Sequence, residues 1–169
     1  MGELLVTALN PDATDAVVAL YRAAAAAGGG LARRPDEIDA TTVRPFLERA
    51  ARDGVSRAIW TPDGTLAAEI HALRMAPAQF QHVLTDLTVA VHPDWQGKGL
   101  GSLLFQALIA AARDLSPAIT RIELMAREGN AGAIRLYQRL GFKIEGRFAG
   151  RVHLPDGTVE DDIAMAMLL

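Results

Sequence analysis

Three glycines at alternate positions, Gly97, Gly99 and Gly101, stand in the stretch DWQGKGLGSLL (94–104), directly ahead of an apolar run with helical spacing. A glycine-rich turn that opens a helix is an anion site. The first-turn N–H groups have no intrahelical acceptor, and the helix dipole adds about half a positive charge there. Glycines at this density let a ligand reach the backbone, and phosphate is the usual guest. Two familiar phosphate loops fail on spacing. A P-loop needs Gly-Lys followed by Ser or Thr, whereas Lys98 is followed by Gly99; a dinucleotide fingerprint needs a glycine three residues after Gly99, where Ser102 stands. Glycines alone would equally serve a tight turn with close helix–strand packing.

The rest of the composition narrows the chemistry. With no cysteine in 169 residues there is no disulfide, no thiolate metal site and no cysteine nucleophile. His82, His92 and His153 stand apart without metal-ligand spacing, so no metal is expected. A net charge of −3 without a basic cluster gives no nucleic-acid footprint. The Ala23 to Ala27 stretch falls far short of the roughly 20 residues that span a bilayer, so no membrane is expected. The opening MGELLVTALN lacks the basic start and apolar core of a secretory signal, which makes the expected location cytoplasmic.

The elements that must position the glycines read as a mixture of helices and strands, α/β or α+β. LLVTAL (4–9) predicts a strand, and Asn10-Pro11-Asp12 starts a helix over 12–27 that ends at Gly28-Gly29-Gly30. A second helix is predicted from Thr42 to Asp53. VSRAIW and TLAAEIHALRM flank the turn Thr61-Pro62-Asp63-Gly64, which makes 55–75 an antiparallel hairpin. QHVLTDLTVAV (81–91) is a strand with Val83, Thr85, Leu87, Val89 and Val91 on one face and His82, Leu84, Asp86, Thr88 and Ala90 on the other. It leads into the glycines, after which Leu100, Leu103, Leu104, Ala107, Leu108 and Ala111 keep helical period. ITRIELMA (119–126) is another strand. NAGAIRLYQRLGF (130–142) is a helix with Asn130 as N-cap, a face of Ala133, Leu136, Tyr137 and Leu140, and Gly141 as its left-handed stop. Residues 143–168 form a second hairpin around Pro155-Asp156-Gly157.

Gln96-x-x-Gly99-x-Gly101, preceded by VAVHPDW, resembles motif A of the GNAT superfamily of acyl-CoA-dependent N-acetyltransferases: a strand ending V-x-P, then [QR]-x-x-G-x-[GA] opening a helix. Asn130, Tyr137 and Gly141-Phe142 resemble its motif B. Motif A falls on about 82–113 and motif B on about 119–142. The resemblance covers roughly 82–168 closely and the N-terminal half in element order. It implies one N-acetyltransferase domain over 1–169 with a GNAT-like acyl-CoA N-acyltransferase fold: a mixed, mostly antiparallel sheet of about seven strands flanked by about four helices. It also implies acetyl-CoA as co-substrate. The diphosphate is expected on the N–H groups of Gly97, Lys98, Gly99, Leu100, Gly101 and Ser102, with Gln96 bracing the loop and the Lys98 side chain adding charge from outside. The pantetheine arm is expected along the 81–91 strand, on backbone groups of Val89 and Val91 freed by a bulge that splays the strand from its neighbour. Asn130 and Tyr137 complete the cofactor site.

The implied reaction is attack of a neutral amine on the acetyl thioester. A backbone N–H in the 87–91 region is expected to stabilise the carbonyl oxygen. Tyr137 resembles the family tyrosine that contacts the departing sulfur, although helical period alone would make it a core aromatic. Asp86, Glu69 or His71 could serve as base, directly or through water, and Asp86 is preferred. An α-amine near pKa 7.8 is about 10% neutral at pH 7, whereas a lysine-type amine is neutral about once in 2,500, so a weak base suits α-amines. The expected acceptor is a free amino acid or small amine. Acetylation of protein N-termini, as in ribosomal-protein modifiers, is the alternative enzyme reading, and a non-catalytic acyl-CoA sensor the alternative of another class. Acceptor choice is expected to rest on Gly28 to Pro45 and the 143–168 hairpin, where Arg33, Arg34 or Arg151 could pair a carboxylate. A homodimer is possible.

Overall fold

The structure, a computed structural model, describes residues 4–28 and 30–169. Residues 1–3, part of the leader reading, and Gly29 of the triple glycine lie outside the described residues. Seven strands, β1 (Leu5–Thr7), β2 (Val55–Trp60), β3 (Leu66–Arg74), β4 (Val83–Val91), β5 (Arg121–Arg127), β6 (Lys143–His153) and β7 (Val159–Leu168), form one sheet in the order β1-β2-β3-β4-β5-β7-β6. Every neighbouring pair is antiparallel except β4 and β5. The mixed, mostly antiparallel sheet with four helices is the architecture expected above. No helix among the described residues is long and apolar enough to cross a membrane.

Helices α1 (Thr14–Ala26) and α2 (Ala40–Asp53) cover one face of β2–β4, burying Val17, Leu20, Ala24, Val43 and Leu47 against Ala58, Leu66 and Ala90. Helices α3 (Leu100–Arg113) and α4 (Ala131–Leu140) cover the other, where Leu100, Leu104, Phe105 and Leu108 pack with Ile59, Ile70, Leu84 and Ile122. Each large apolar side chain buried this way contributes about 1.5–3 kcal/mol. Caught between both layers, β3 is buried at every position. Its mid-strand polar residues, Glu69 and His71, must therefore find partners inside the protein.

Two helices depart from expectation in informative ways. α2 starts at Ala40, two residues before Thr42, because Asp39 and Thr42 form a reciprocal cap: Asp39 Oδ1 accepts from the Thr42 N–H at 2.9 Å, and the Thr42 hydroxyl accepts from the Asp39 N–H at 3.0 Å. In α3, Leu103 is 38% exposed while Phe105 and Ala112 are buried. The buried face runs 100, 104, 105, 108, 112, one residue round the helix from the predicted stripe.

The faces of β4 also differ from the strict alternation predicted. His71 pairs with Thr88 and Leu73 with Thr85, so Asp86 and Leu87 together oppose the single residue Ala72. Asp86 takes φ +50°, a left-handed conformation that aspartate tolerates better than most residues. This bulge inverts the parity of the strand. Leu84, expected opposite Leu87, instead joins Leu87, Val89 and Val91 in the α3-side core.

Candidate active site

Beyond the bulge β4 leaves β5. The two strands share only the rungs Val83–Arg121 and Leu84–Ile122, while β5 stays paired with β7 from Arg121 to Arg127. The edge of β4 from Thr85 onward therefore faces a split. The His92 N–H donates to the Ala67 carbonyl at 2.8 Å on the β3 side. By the two-residue period, the backbone groups of Val89 and Val91 turn to the open edge. One is occupied: Gln96 Nε2 donates to the Val91 carbonyl at 3.3 Å, tying the following loop to the strand end.

That loop delivers the glycines. Gly97 has φ +73° and Gly99, the N-cap of α3, has φ +81°. A Cβ at either would meet no heavy atom within 4 Å. The backbone turn and open space, not neighbouring packing, account for glycine there. The first backbone bond of α3 runs from the Leu103 N–H to the Gly99 carbonyl at 3.2 Å. The N–H groups of Gly97, Lys98, Gly99, Leu100, Gly101 and Ser102 thus have no protein acceptor among the described residues. A stack of free donors at a helix N-terminus suits a diphosphate. Lys98 lies 4.4 Å over the Trp95 ring, its charge beside the loop. A Cβ at Gly101 would make only an ordinary contact with Leu136 Cδ2 at 3.5 Å, so packing does not demand glycine there.

Across the split, Asn130 caps α4 by accepting from the Ala133 N–H at 3.4 Å, and Gly141 ends the helix at φ +104°. The Tyr137 ring packs on Phe105 at 5.3 Å and Phe142 at 6.2 Å, leaving it 8% exposed. Burial pushes its phenol up to about 12. Its hydroxyl makes no hydrogen bond among the described residues, and Tyr137 lines a cavity of about 810 Å³. The other walls are the α1–α2 connector with Gly28, Gly30 and Arg33, the end of β5 with Met125 and Ala126, and the β6–β7 turn with His153 and Pro155. The connector closes on α4: a Cβ at Gly30 would stand 2.5 Å from Asn130 Nδ2. A second cavity of about 380 Å³, lined by Asp86, Leu87, Glu123, Phe148 and Arg151, shares Met125 with the first.

The three base candidates part company here. Asp86 lines the smaller cavity, 66% exposed, with Arg49 at 4.0 Å. Glu69 and His71 are 0% and 3% exposed and line neither cavity. The Tyr21 hydroxyl donates to Glu69 Oε1, His71 Nδ1 lies 3.2 Å from the same oxygen, and Phe46 stacks on the His71 ring at 4.3 Å. Burial first, then the Glu69 charge, holds the Tyr21 phenol well above its ordinary value, with the Arg33 charge opposing. The cluster joins α1, α2 and β3, and the helix layer seals it from an acceptor.

Among the expected carboxylate partners, Arg34 is engaged by Asp36 at 3.4 Å and Glu37 at 3.7 Å. Arg151 is engaged by Asp162 at 3.7 Å and lies 4.8 Å over Phe148. Sequence reasoning missed Arg49, Met125 and His153. Met125 had a signal: it falls between Glu123 and Arg127 on the second face of a strand whose Ile122, Leu124 and Ala126 are apolar. Arg49 had none, since its role depends on where the bulge puts Asp86.

A model of the Acetyltransferase (GNAT) family matches residues 31–142, and the chain belongs to that family. L-methionine sulfoximine/L-methionine sulfone acetyltransferase from Pseudomonas paraeruginosa is 47% identical over 62 residues, 36% of this chain and 34% of that protein. The chain thus spans about a third of the length of that relative. The L-amino acid N-acetyltransferase AaaT of Escherichia coli is 30% identical over 102 residues, 60% of this chain and 62% of that protein. The structure of yncA from Salmonella typhimurium, solved with its cofactor acetyl-CoA, shares the fold with a TM-score of 0.84 at 20% identity, over 99% of this chain and 95% of that one.

Proposed function

We propose that this protein is an acetyl-CoA-dependent N-acetyltransferase acting on the primary amine of a free amino acid or similar small molecule. The observation that carries the reading is the run of N–H groups without acceptors from Gly97 to Ser102, at the end of a strand whose outer edge is open. The names of two relatives, which act on amino acids or their analogues, support the acceptor class.

When bound, acetyl-CoA supplies a thioester whose C–S bond is exchanged for the C–N bond of the product amide. The donors from Gly97 to Ser102 hold the diphosphate, with the Lys98 charge alongside and Gln96 fixing the loop to Val91. Open backbone groups of Val89 and Val91 are suited to the amide-bearing arm, and an N–H of this stretch to the charge that develops on the carbonyl oxygen. Asp86 takes the proton of the acceptor ammonium; Arg49 keeps the carboxylate beside the split. Tyr137 hydrogen-bonds the departing sulfur from beside Asn130. With its phenol at about 12 and a free thiol near 8.5, full transfer of its proton would be uphill by about 3.5 units, about 5 kcal/mol. Tyr137 therefore stabilises the thiolate by hydrogen bonding, and the second proton that the nitrogen sheds on forming the amide passes through solvent to the sulfur.

A thiol-detecting dye, acetyl-CoA and a panel of L-amino acids, peptides and polyamines test the reading. Thiol release accelerated by single amino acids is expected. Acetyl-CoA binding with no acceleration by any amine would make the protein a sensor, and turnover confined to peptides would move the acceptor to protein N-termini.

A further inference from the structure

The 810 Å³ cavity is lined by several charged groups, and its other arginines are already paired. Arg34 is held by Asp36 and Glu37, Arg127 by Glu160 at 3.3 Å, and Asp162 by Arg151. Asp156 accepts the Thr158 N–H at 2.8 Å in its own turn and keeps its negative charge. Arg33 is the exception: among the described residues, no carboxylate lies within 4.0 Å of it. It is carried by the connector that meets Asn130 at Gly30, in the cavity that Tyr137 lines. Arg33 is exposed, so its guanidinium is open to a ligand that enters the cavity. A guanidinium is the side chain best matched to a planar carboxylate, which it grips with two parallel N–H donors.

We propose that Arg33 determines acceptor specificity by pairing the carboxylate of an α-amino acid. The inference rests on the acetyltransferase reading. Asp86 and Arg33, of opposite sign, line two cavities that share Met125. A polyamine would bring a second cation toward Arg33 and be disfavoured.

The test compares kcat/KM for the best L-α-amino acid substrate with that for its carboxamide, in wild type, Arg33→Gln and Arg33→Lys. Taking the ratio across enzymes cancels the difference in amine basicity between the two acceptors. Loss of one charge-assisted pair predicts a fall in the acid-to-amide ratio of about 10- to 100-fold in Arg33→Gln, carried by KM of the acid. Arg33→Lys, which keeps the charge without the fork, should recover part of it. KM for acetyl-CoA serves as the check on connector integrity. An unchanged ratio in Arg33→Gln with turnover intact overturns the proposal and leaves the acetyltransferase standing. Turnover of no amine by the wild type overturns both.

Discussion

Replacing Gly99 by alanine separates the grip on phosphate from the stability of the fold. Gly99 sits at φ +81°, and a Cβ there meets no heavy atom within 4 Å, so the cost in the free protein is conformational alone. An alanine in the left-handed region costs about 1–2 kcal/mol. About 0.4–1 kcal/mol returns because the unfolded chain loses freedom, which leaves about 1 kcal/mol. Unfolding entropy of about 2.1 cal/mol/K per residue over 169 residues converts this to a Tm lower by about 3 °C. The same methyl would stand among the free donors from Gly97 to Ser102. Displacing a phosphate oxygen from one of them costs about 1.5–3 kcal/mol, so the Kd for coenzyme A should rise about 10- to 100-fold. Gly64, in the β2–β3 turn at φ +83° with equal open space, is the matched control. Isothermal titration with coenzyme A and thermal melts of G99A and G64A settle the matter: both should lose about 3 °C, and only G99A should lose affinity. Equal affinity in G99A and wild type would refute the placement of the diphosphate.

Three further outcomes follow from the same geometry. Tyr137→Phe should lower kcat about 10- to 100-fold, the worth of a hydrogen bond to a charged sulfur, with KM for acetyl-CoA within about threefold; an unchanged kcat would make Tyr137 a packing residue. Gln96→Ala should weaken coenzyme A binding about 2- to 10-fold by freeing the loop from Val91, and titration calorimetry would show no change if the brace is idle. The stability contributed by Tyr137 is complete below its unfolded value near 10 and is lost as pH rises toward the folded value of about 12, at about 1.4 kcal/mol per unit. Urea unfolding at pH 9 and pH 11 should therefore show a loss that Tyr137→Phe reduces by about 1.4 kcal/mol; an identical loss in the variant would contradict the raised value.

The donor loop was legible in the sequence because its requirements are local. Alternating glycines, a preceding strand and an amphipathic helix fix the backbone of 97–102 with little help from the rest of the chain. The same holds for the Asn130 cap and the Gly141 stop of α4, and for both hairpins, whose turns carry Pro-Asp-Gly. What alternation could not reveal is the extra residue in β4. Asp86 and Leu87 share one rung, and nothing in QHVLTDLTVAV marks where parity inverts, so Leu84 was assigned to the wrong side. The sealing of Glu69 and His71 was hidden for a related reason. A strand buried on both faces shows no alternation, and the partner Tyr21 lies 48 residues away from Glu69. The α2 start was readable, since Asp39 and Thr42 have capping-box spacing, but the apolar face drew the boundary inward.

The most direct test of the central claim is a crystal structure with coenzyme A bound. The account predicts the diphosphate on the peptide N–H groups of residues 97–102 and the pantetheine arm in the split between β4 and β5, with its sulfur beside the Tyr137 hydroxyl. A diphosphate held elsewhere, or a sulfur remote from Tyr137, would contradict it.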